Sequence, residues 1–326
     1  MIKSCLLIFS FVLLFLSCSE KASEKNEQSQ TTFEVIRTTS EASLVVLGTL
    51  QDAGSPHIGC NKDCCASFFE NPDPLRKVVS LGLIDSKNNK NYLFEATPDI
   101  STQLKHLKHI TASNKELPDG IFLTHAHIGH YSGLMYLGKE ATNADSAPVF
   151  AMPRMKEYLE TNGPWSQLVK NSNIAISQLK EGWPITLSSS LSVTPFKVPH
   201  RDEFSETVGF IIAGPNKLAL FIPDIDKWEK WSSSIKEVIS TVDYAFIDAT
   251  FYHGDEINSR DISGIPHPFI IESMELLKDL PSEEKQKIQF IHFNHTNPVL
   301  NTNSDAFKIV IKNGFNVAKF GDVFDL

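Results

Sequence analysis

Leu123-Thr124-His125-Ala126-His127-Ile128-Gly129-His130 is the stretch on which the reading of this chain turns. Three histidines fall within six residues, directly after an apolar run at 120–124 that the pattern assigns to a buried strand. A strand that ends in such a cluster puts three imidazoles on one loop, where their rings can converge on one point. Neutral imidazole is the commonest protein ligand for transition metals such as zinc. The whole chain of 326 residues holds 11 histidines, so this density is more than scattered loop histidines would give. The segment reads as a metal site.

Working outward, residues 43–50 form a short Val/Leu run punctuated by Gly48, the expected first core strand. Residues 51–74 carry several prolines and glycines and read as a loop region. Strands are expected at 78–84 and 92–95, joined as a hairpin, and a helix at 100–110 capped by Asp99. Behind the histidines the pattern predicts a helix at 131–137, a strand at 148–152 and a helix at 154–160. Paired strands follow at 185–198, then a second hairpin at 208–213 and 217–222. A helix at 228–239, a strand at 244–247, a helix at 269–277, a strand at 288–293, a helix at 304–311 and a strand at 317–320 complete the pattern. Hairpins interleaved with single helices imply mixed sheets covered on their outer faces.

Composition narrows the function class. The chain is 41% hydrophobic and 10% aromatic, enough for a sizeable core. Its formal net charge is −9, and no Lys/Arg run exceeds Arg76-Lys77. That argues against nucleic acid as a partner. The N-terminus is set apart: Lys3 precedes an apolar run at 6–16 that is too short for a membrane span and fits a secretory signal. Phe15-Leu16-Ser17-Cys18 resembles the bacterial lipoprotein processing site, which implies a signal peptide at 1–17 and a lipid on Cys18. A polar tether would then run over 18–42. The mature protein would be held at a membrane surface, facing the periplasm or cell exterior.

His-x-His-x-x-His after a strand resembles the signature of the metallo-β-lactamase superfamily, which implies an αββα sandwich over residues 43–326. The resemblance implies that His125 and His127 bind one ion and His130 a second. Further ligands are implied at His200, at the bridging carboxylate Asp224 and at His292, with His295 as the alternative to His292. The family pattern has Asp immediately before the last histidine of the cluster. This chain has Gly129 there, so an anionic ligand for a second ion is missing from its usual place. The implied chemistry is hydrolysis of an ester or phosphodiester-like bond in a small-molecule substrate. Water held by one zinc ion, or shared by two, becomes a hydroxide nucleophile near neutral pH. Asp224 would orient that water and accept its proton, and His130 would act as a base or stabilise charge. Arg201 either reaches an anionic substrate group or forms a structural ion pair. Asp248 is expected to orient ligands, and His253 to lie towards the active face.

Cys60, Cys64 and Cys65 follow His57 within nine residues. They admit a structural zinc site, or a Cys60–Cys64 disulfide with one thiol left over. The opening Leu47-Gly48-Thr49-Leu50-Gln51-Asp52-Ala53-Gly54 and the cysteines resemble one branch of the superfamily. That branch holds the pyrroloquinoline-quinone biosynthesis B proteins and the cyclic phosphodiesterases of phosphonate breakdown. It implies that His295 completes the cysteine site as a zinc ligand. A non-catalytic or accessory role in quinone-cofactor biosynthesis is the alternative function.

Overall fold

Along β1 (Ala42–Gly48) every residue is buried, yet alternate side chains serve different cores. Leu44 and Val46 join a cluster with Phe210, Phe221, Phe246 and Ile291, whereas Val45 and Leu47 join one with Ile100, Leu107 and Leu159. Successive side chains of a strand point to opposite faces, so a run apolar on both faces must be covered on both. The computed structural model of the chain describes residues 40–111, 113–256 and 265–326. The expected signal peptide, Cys18 and most of the tether lie outside the described residues.

The first sheet adds β2 (Ser80–Asp85), β3 (Lys90–Phe94), β4 (Gly120–Phe122), β5 (Ala147–Ala151) and β6 (Ile174–Gln178). The second is built from β7 (Ile185–Thr186), β8 (Ser192–Lys197), β9 (Val208–Ala213), β10 (Leu218–Ile222), β11 (Tyr244–Asp248), β12 (Ile288–Ile291) and β13 (Asn316–Val317). The chain then returns to the first sheet as β14 (Val323–Asp325), antiparallel to β1. The two seven-stranded sheets run β14-β1-β2-β3-β4-β5-β6 and β13-β12-β11-β10-β9-β8-β7. In each, an antiparallel half gives way to a parallel half: at β3–β4 in the first and at β10–β11 in the second.

Three cores follow from this layering. Phe94, Phe122, Phe210 and Phe221 are fully buried between the sheets, with Phe94–Phe122 centroids at 5.1 Å and Phe94–Phe210 at 5.5 Å. Outside the first sheet, the helices Ile100–Thr111 and Pro153–Thr161 cover Val45, Leu93 and Val149. Outside the second, Ile235, Ile239, Ile270, Met274 and Val310 cover Ile222 and Phe290. The arrangement is the αββα sandwich that the sequence led us to expect. Each buried Leu or Phe side chain contributes about 1.5–3 kcal/mol, so the doubly buried strands dominate stability.

Several local expectations need correction. The helix Asp63–Glu70 stands inside the expected 51–74 loop. Asp99 does not cap its helix with its side chain; Oδ2 accepts from the Val78 backbone N–H at 2.8 Å instead. The 228–239 helix is a short 3-10 turn, Trp228–Lys230, and a separate helix, Ile235–Ser240. The 131–137 helix begins as an α turn, Ile128–Tyr131, and continues as 3-10 over Ser132–Leu137. The sequence reading also missed the helix Trp165–Lys170 and the strands β6 and β14. The strand expected at 317–320 is shorter: β13 is only Asn316–Val317.

Candidate metal centre

The carboxyl ends of the parallel strands all open on one edge of the sandwich. From there come Glu95 after β3, the histidine loop after β4, Asp224 after β10, Asp248 at the end of β11 and His292 after β12. Ligand sites in α/β sheets form at such strand ends, where loops start and side chains are no longer paired into a core. Glu95 and His292 each take a positive φ, 73° and 69°. Non-glycine residues in that region are strained and persist where the surroundings hold them, as at functional sites.

One group comprises His125, His127, His200 and Asp224, whose ligand atoms all lie within 4.8 Å of one another. His125 Nε2 is 2.8 Å from His127 Nδ1, and His200 Nε2 is 3.2 Å from the same atom. Asp224 Oδ2 lies 3.3 Å from His125 Nε2, 3.3 Å from His200 Nε2 and 3.9 Å from His127 Nδ1. Nitrogen and oxygen donors set tetrahedrally about 2.0–2.1 Å from zinc would be separated by about 3.3–3.4 Å. The observed separations scatter around that value. Two of the three remaining ring nitrogens are engaged: Thr124 Oγ1 lies 2.8 Å from His125 Nδ1, and Asp226 Oδ1 lies 3.1 Å from His200 Nδ1. Outer partners of this kind fix the ring orientation and leave the opposite nitrogen for an ion.

A second group, Asp52, His130 and His292, lies beside Asp224. His130 Nε2 lies 2.8 Å from Asp52 Oδ1 and 3.8 Å from Asp224 Oδ2, and His292 Nε2 lies 3.6 Å from Asp52 Oδ1. Asp52 and His130 form a close ion pair, while His292 Nε2 makes no hydrogen bond. A carboxylate and two imidazoles aimed at one buried spot fit a cation between them. Behind them, His130 Nδ1 faces Glu95 Oε2 at 3.5 Å, and Thr250 Oγ1 lies 2.8 Å from His292 Nδ1. Asp248 is held by the N–H and hydroxyl of Thr250, by the Ile225 N–H and by His267 Nδ1 at 2.8 Å. His267 Nδ1 is also 3.1 Å from Asp224 Oδ1.

The charge balance of this edge also fits metal. Asp224, Asp248 and Glu95 are buried carboxylates, which persist only beside compensating positive charge. Burial raises the Asp224 carboxyl, but His200 and His267 beside it hold it well below the usual carboxylate range. Burial opposes protonation of His130, yet Asp52 and Glu95 push it well above its ordinary value. In Glu95 burial wins over His130, and its carboxyl is raised. His125 is driven well below its ordinary value by burial and by His130, so it stays neutral and able to ligate.

A separate group holds Cys60, Cys64, Cys65 and His295, again within 4.8 Å. All three cysteines are free, and Cys60 Sγ lies 3.6 Å from Cys64 Sγ, a contact distance rather than a disulfide. Sulfur ligands tetrahedral about zinc would be about 3.8 Å apart. The helix Asp63–Glu70 explains how adjacent Cys64 and Cys65 share one group: its first turn rolls both thiols toward Cys60. His57 is not in this group but stacks on His295 with centroids 4.4 Å apart, and its N–H donates to Cys65 Sγ at 3.3 Å.

The structure therefore brings His125, His127, His200 and Asp224 together and sets His130 and His292 beside them. His295 goes with the cysteines and not with the histidine groups at the strand ends. Arg201 is exposed on the loop after β8, outside these groups. His253 is half exposed, with Nδ1 3.1 Å from Asp255, and joins none of them. Asp52, Glu95 and His267 were missed by the sequence reading. Asp52 had one available signal: the absence of a carboxylate at Gly129 asks for one from elsewhere.

A family model described as the β-lactamase superfamily domain matches residues 90–293. Coenzyme PQQ synthesis protein B of Methylococcus capsulatus is 25% identical over 305 residues, covering 85% of this chain and 97% of that protein. Among solved structures, Zn(2+)-bound PqqB from Methylobacterium extorquens superposes with a TM-score of 0.68 at 21% identity, over 87% of this chain and 100% of that one. A diphosphatase from the PhnP family gives 0.59 at 20% identity, over 87% and 96%. These similarities fall in the branch that the cysteine-bearing opening resembles.

Proposed function

Because the chain belongs to the β-lactamase superfamily domain family and has the metallo-β-lactamase fold, we propose that it is a zinc-dependent hydrolase of an ester or phosphodiester-like bond. The observation that carries this reading is the convergence of His125, His127, His200 and Asp224, from three separate chain segments, on one set of donor atoms all within 4.8 Å of one another. In this reading those four residues hold one zinc ion, and His130, His292 and Asp224 hold a second. Bound there, the metal supplies Lewis acidity that makes water a competent nucleophile at neutral pH. Asp224 Oδ2 faces both groups, 3.3 Å from His125 Nε2 and His200 Nε2 and 3.8 Å from His130 Nε2, so Asp224 would orient the attacking water and take its proton. His267 and Asp248 fix the Asp224 carboxylate in place. His130, wedged between Asp52 and Glu95, has the place of a ligand rather than of a free base. Exposed Ile128 and Phe204 flank His127 and Glu203, and Glu203 Oε2 is 3.5 Å from His127 Nε2.

Cys60, Cys64, Cys65 and His295 hold a structural zinc in the same reading. In that reading a lipid on Cys18 would hold the protein on a membrane surface outside the cytoplasm; among the described residues no helix is long and apolar enough to cross a membrane. Bis(p-nitrophenyl) phosphate and p-nitrophenyl esters test the activity. Hydrolysis should be lost with a chelator, restored by zinc, and reduced on the order of 100-fold or more in His127→Ala. Likeness to coenzyme PQQ synthesis proteins favours one second reading, a non-catalytic accessory in quinone-cofactor synthesis. Full metal occupancy with no turnover of any such substrate would select it.

A further inference from the structure

We propose that Asp52 supplies the carboxylate of the second metal position, replacing the side chain that residue 129 lacks, and that Gly129 is glycine because Asp52 fills its place. This rests on the two-metal reading above and adds the origin of the second ion's anionic ligand. Asp52 stands far from the histidine loop in sequence, yet a Cβ built on Gly129 would lie 2.4 Å from Asp52 Cα and 2.6 Å from Asp52 Oδ1. The two positions exclude one another: a side chain at 129 and the present Asp52 cannot coexist without movement of backbone. Asp52 Oδ1 is directed at His130 Nε2, 2.8 Å away, and at His292 Nε2, 3.6 Å away. The three atoms are buried and lie within 4.8 Å of one another, and His292 Nε2 has no hydrogen-bond partner.

The backbone holds Asp52 there. Leu50 bridges to Phe293, the residue after His292. Phe293 N–H donates to Thr49 O at 2.7 Å, and Gln51 N–H donates to Phe293 O at 2.9 Å. Gly54 N–H returns to Gln51 O at 2.8 Å and closes a turn with Asp52 inside it. The segment after β1 is thus strapped to the strand end that carries His292. A carboxylate on that turn reaches the same point that one on the histidine loop would reach, from the opposite side.

The test is an exchange of the two residues, read by metal content and by chelator competition on purified protein. The variants are Asp52→Gly, Gly129→Asp and the double Asp52→Gly/Gly129→Asp. Asp52→Gly should retain the first histidine-site ion and the cysteine-site ion while its affinity for a second histidine-site ion falls about tenfold or more. Gly129→Asp alone should unfold at lower temperature because of the clash. The double variant removes the contacts with Asp52 Cβ and Oδ1 but keeps the 2.4 Å approach to the Cα of residue 52, so it should regain only part of the melting temperature. If unaltered protein binds two histidine-site ions and Asp52→Gly binds both as tightly, the Asp52 assignment is overturned while the hydrolase reading stands. If unaltered protein binds metal only at the cysteines, both fail.

Discussion

Thr250 shows how much of this site is decided by residues that touch no ion. Its hydroxyl lies 2.7 Å from Asp248 Oδ1 and 2.8 Å from His292 Nδ1, so one side chain sets both a carboxylate and an imidazole. Thr250→Val keeps the shape but removes the hydrogen bonds, and it should weaken metal binding about 10- to 100-fold with an unchanged fold, as chelator competition and circular dichroism would show. His295 offers a pH test. Burial, with His57 and Lys62 adding to it, pushes its pKa down to about 4 from the ordinary 6.5. An unfolded chain takes up that proton near pH 6.5, and the metal-free fold does so only near pH 4. His295 therefore favours the fold above pH 6.5 and withdraws that support as pH falls toward 4. Metal-free His295→Gln should lose less melting temperature over that interval than the unaltered protein. A parallel pair of curves would contradict it. At this scale the histidine cluster was legible because residue type and spacing are themselves the signal. Asp52 and His267 were not: one lies on an aperiodic turn, and the other between Pro266 and Pro268. Only tertiary packing brings either to the site.

Each strand was legible to the degree that its two faces were. β1, β10 and β12 are apolar on both sides, and the sequence showed them as short continuous runs bounded by turns. The short edge strand β14 and the two-residue strands carry too few residues for any period to emerge, and pairing alone defines them. The 228–239 segment has helical apolar spacing, but the run Ser232–Ser234 interrupts it. Ser234 instead caps the following helix by accepting from the Glu237 N–H. Two element-level predictions follow from the doubly covered strands. Phe94→Ala, at the centre of the inter-sheet aromatic cluster, should destabilise by about 3–5 kcal/mol in denaturant unfolding. Gly48→Ala should destabilise as well, since a Cβ there would lie 1.9 Å from the Val78 carbonyl oxygen. It is the close approach of two backbones, not the turn, that requires glycine at this position.

Across the whole molecule, the candidate site is built from both sheets. Glu95 and the histidine loop belong to the first, and His200, Asp224, Asp248 and His292 to the second. Ions that bind only this folded arrangement stabilise it by mass action. Removing them should lower the melting temperature, by the equivalent of about 4 kcal/mol where free metal stands at 1,000 times its dissociation constant. Differential scanning with and without chelator measures this. The anchor is tested at the same scale: Cys18→Ser should move the protein from the membrane fraction to the soluble exported fraction and abolish labelling by radioactive palmitate. The most direct test of the account is anomalous diffraction at the zinc edge from zinc-soaked crystals. It should show one peak among His125, His127, His200 and Asp224, a second among Asp52, His130, His292 and Asp224, and a third among Cys60, Cys64, Cys65 and His295. Crystals whose only peak lies at the cysteines would contradict the central claim.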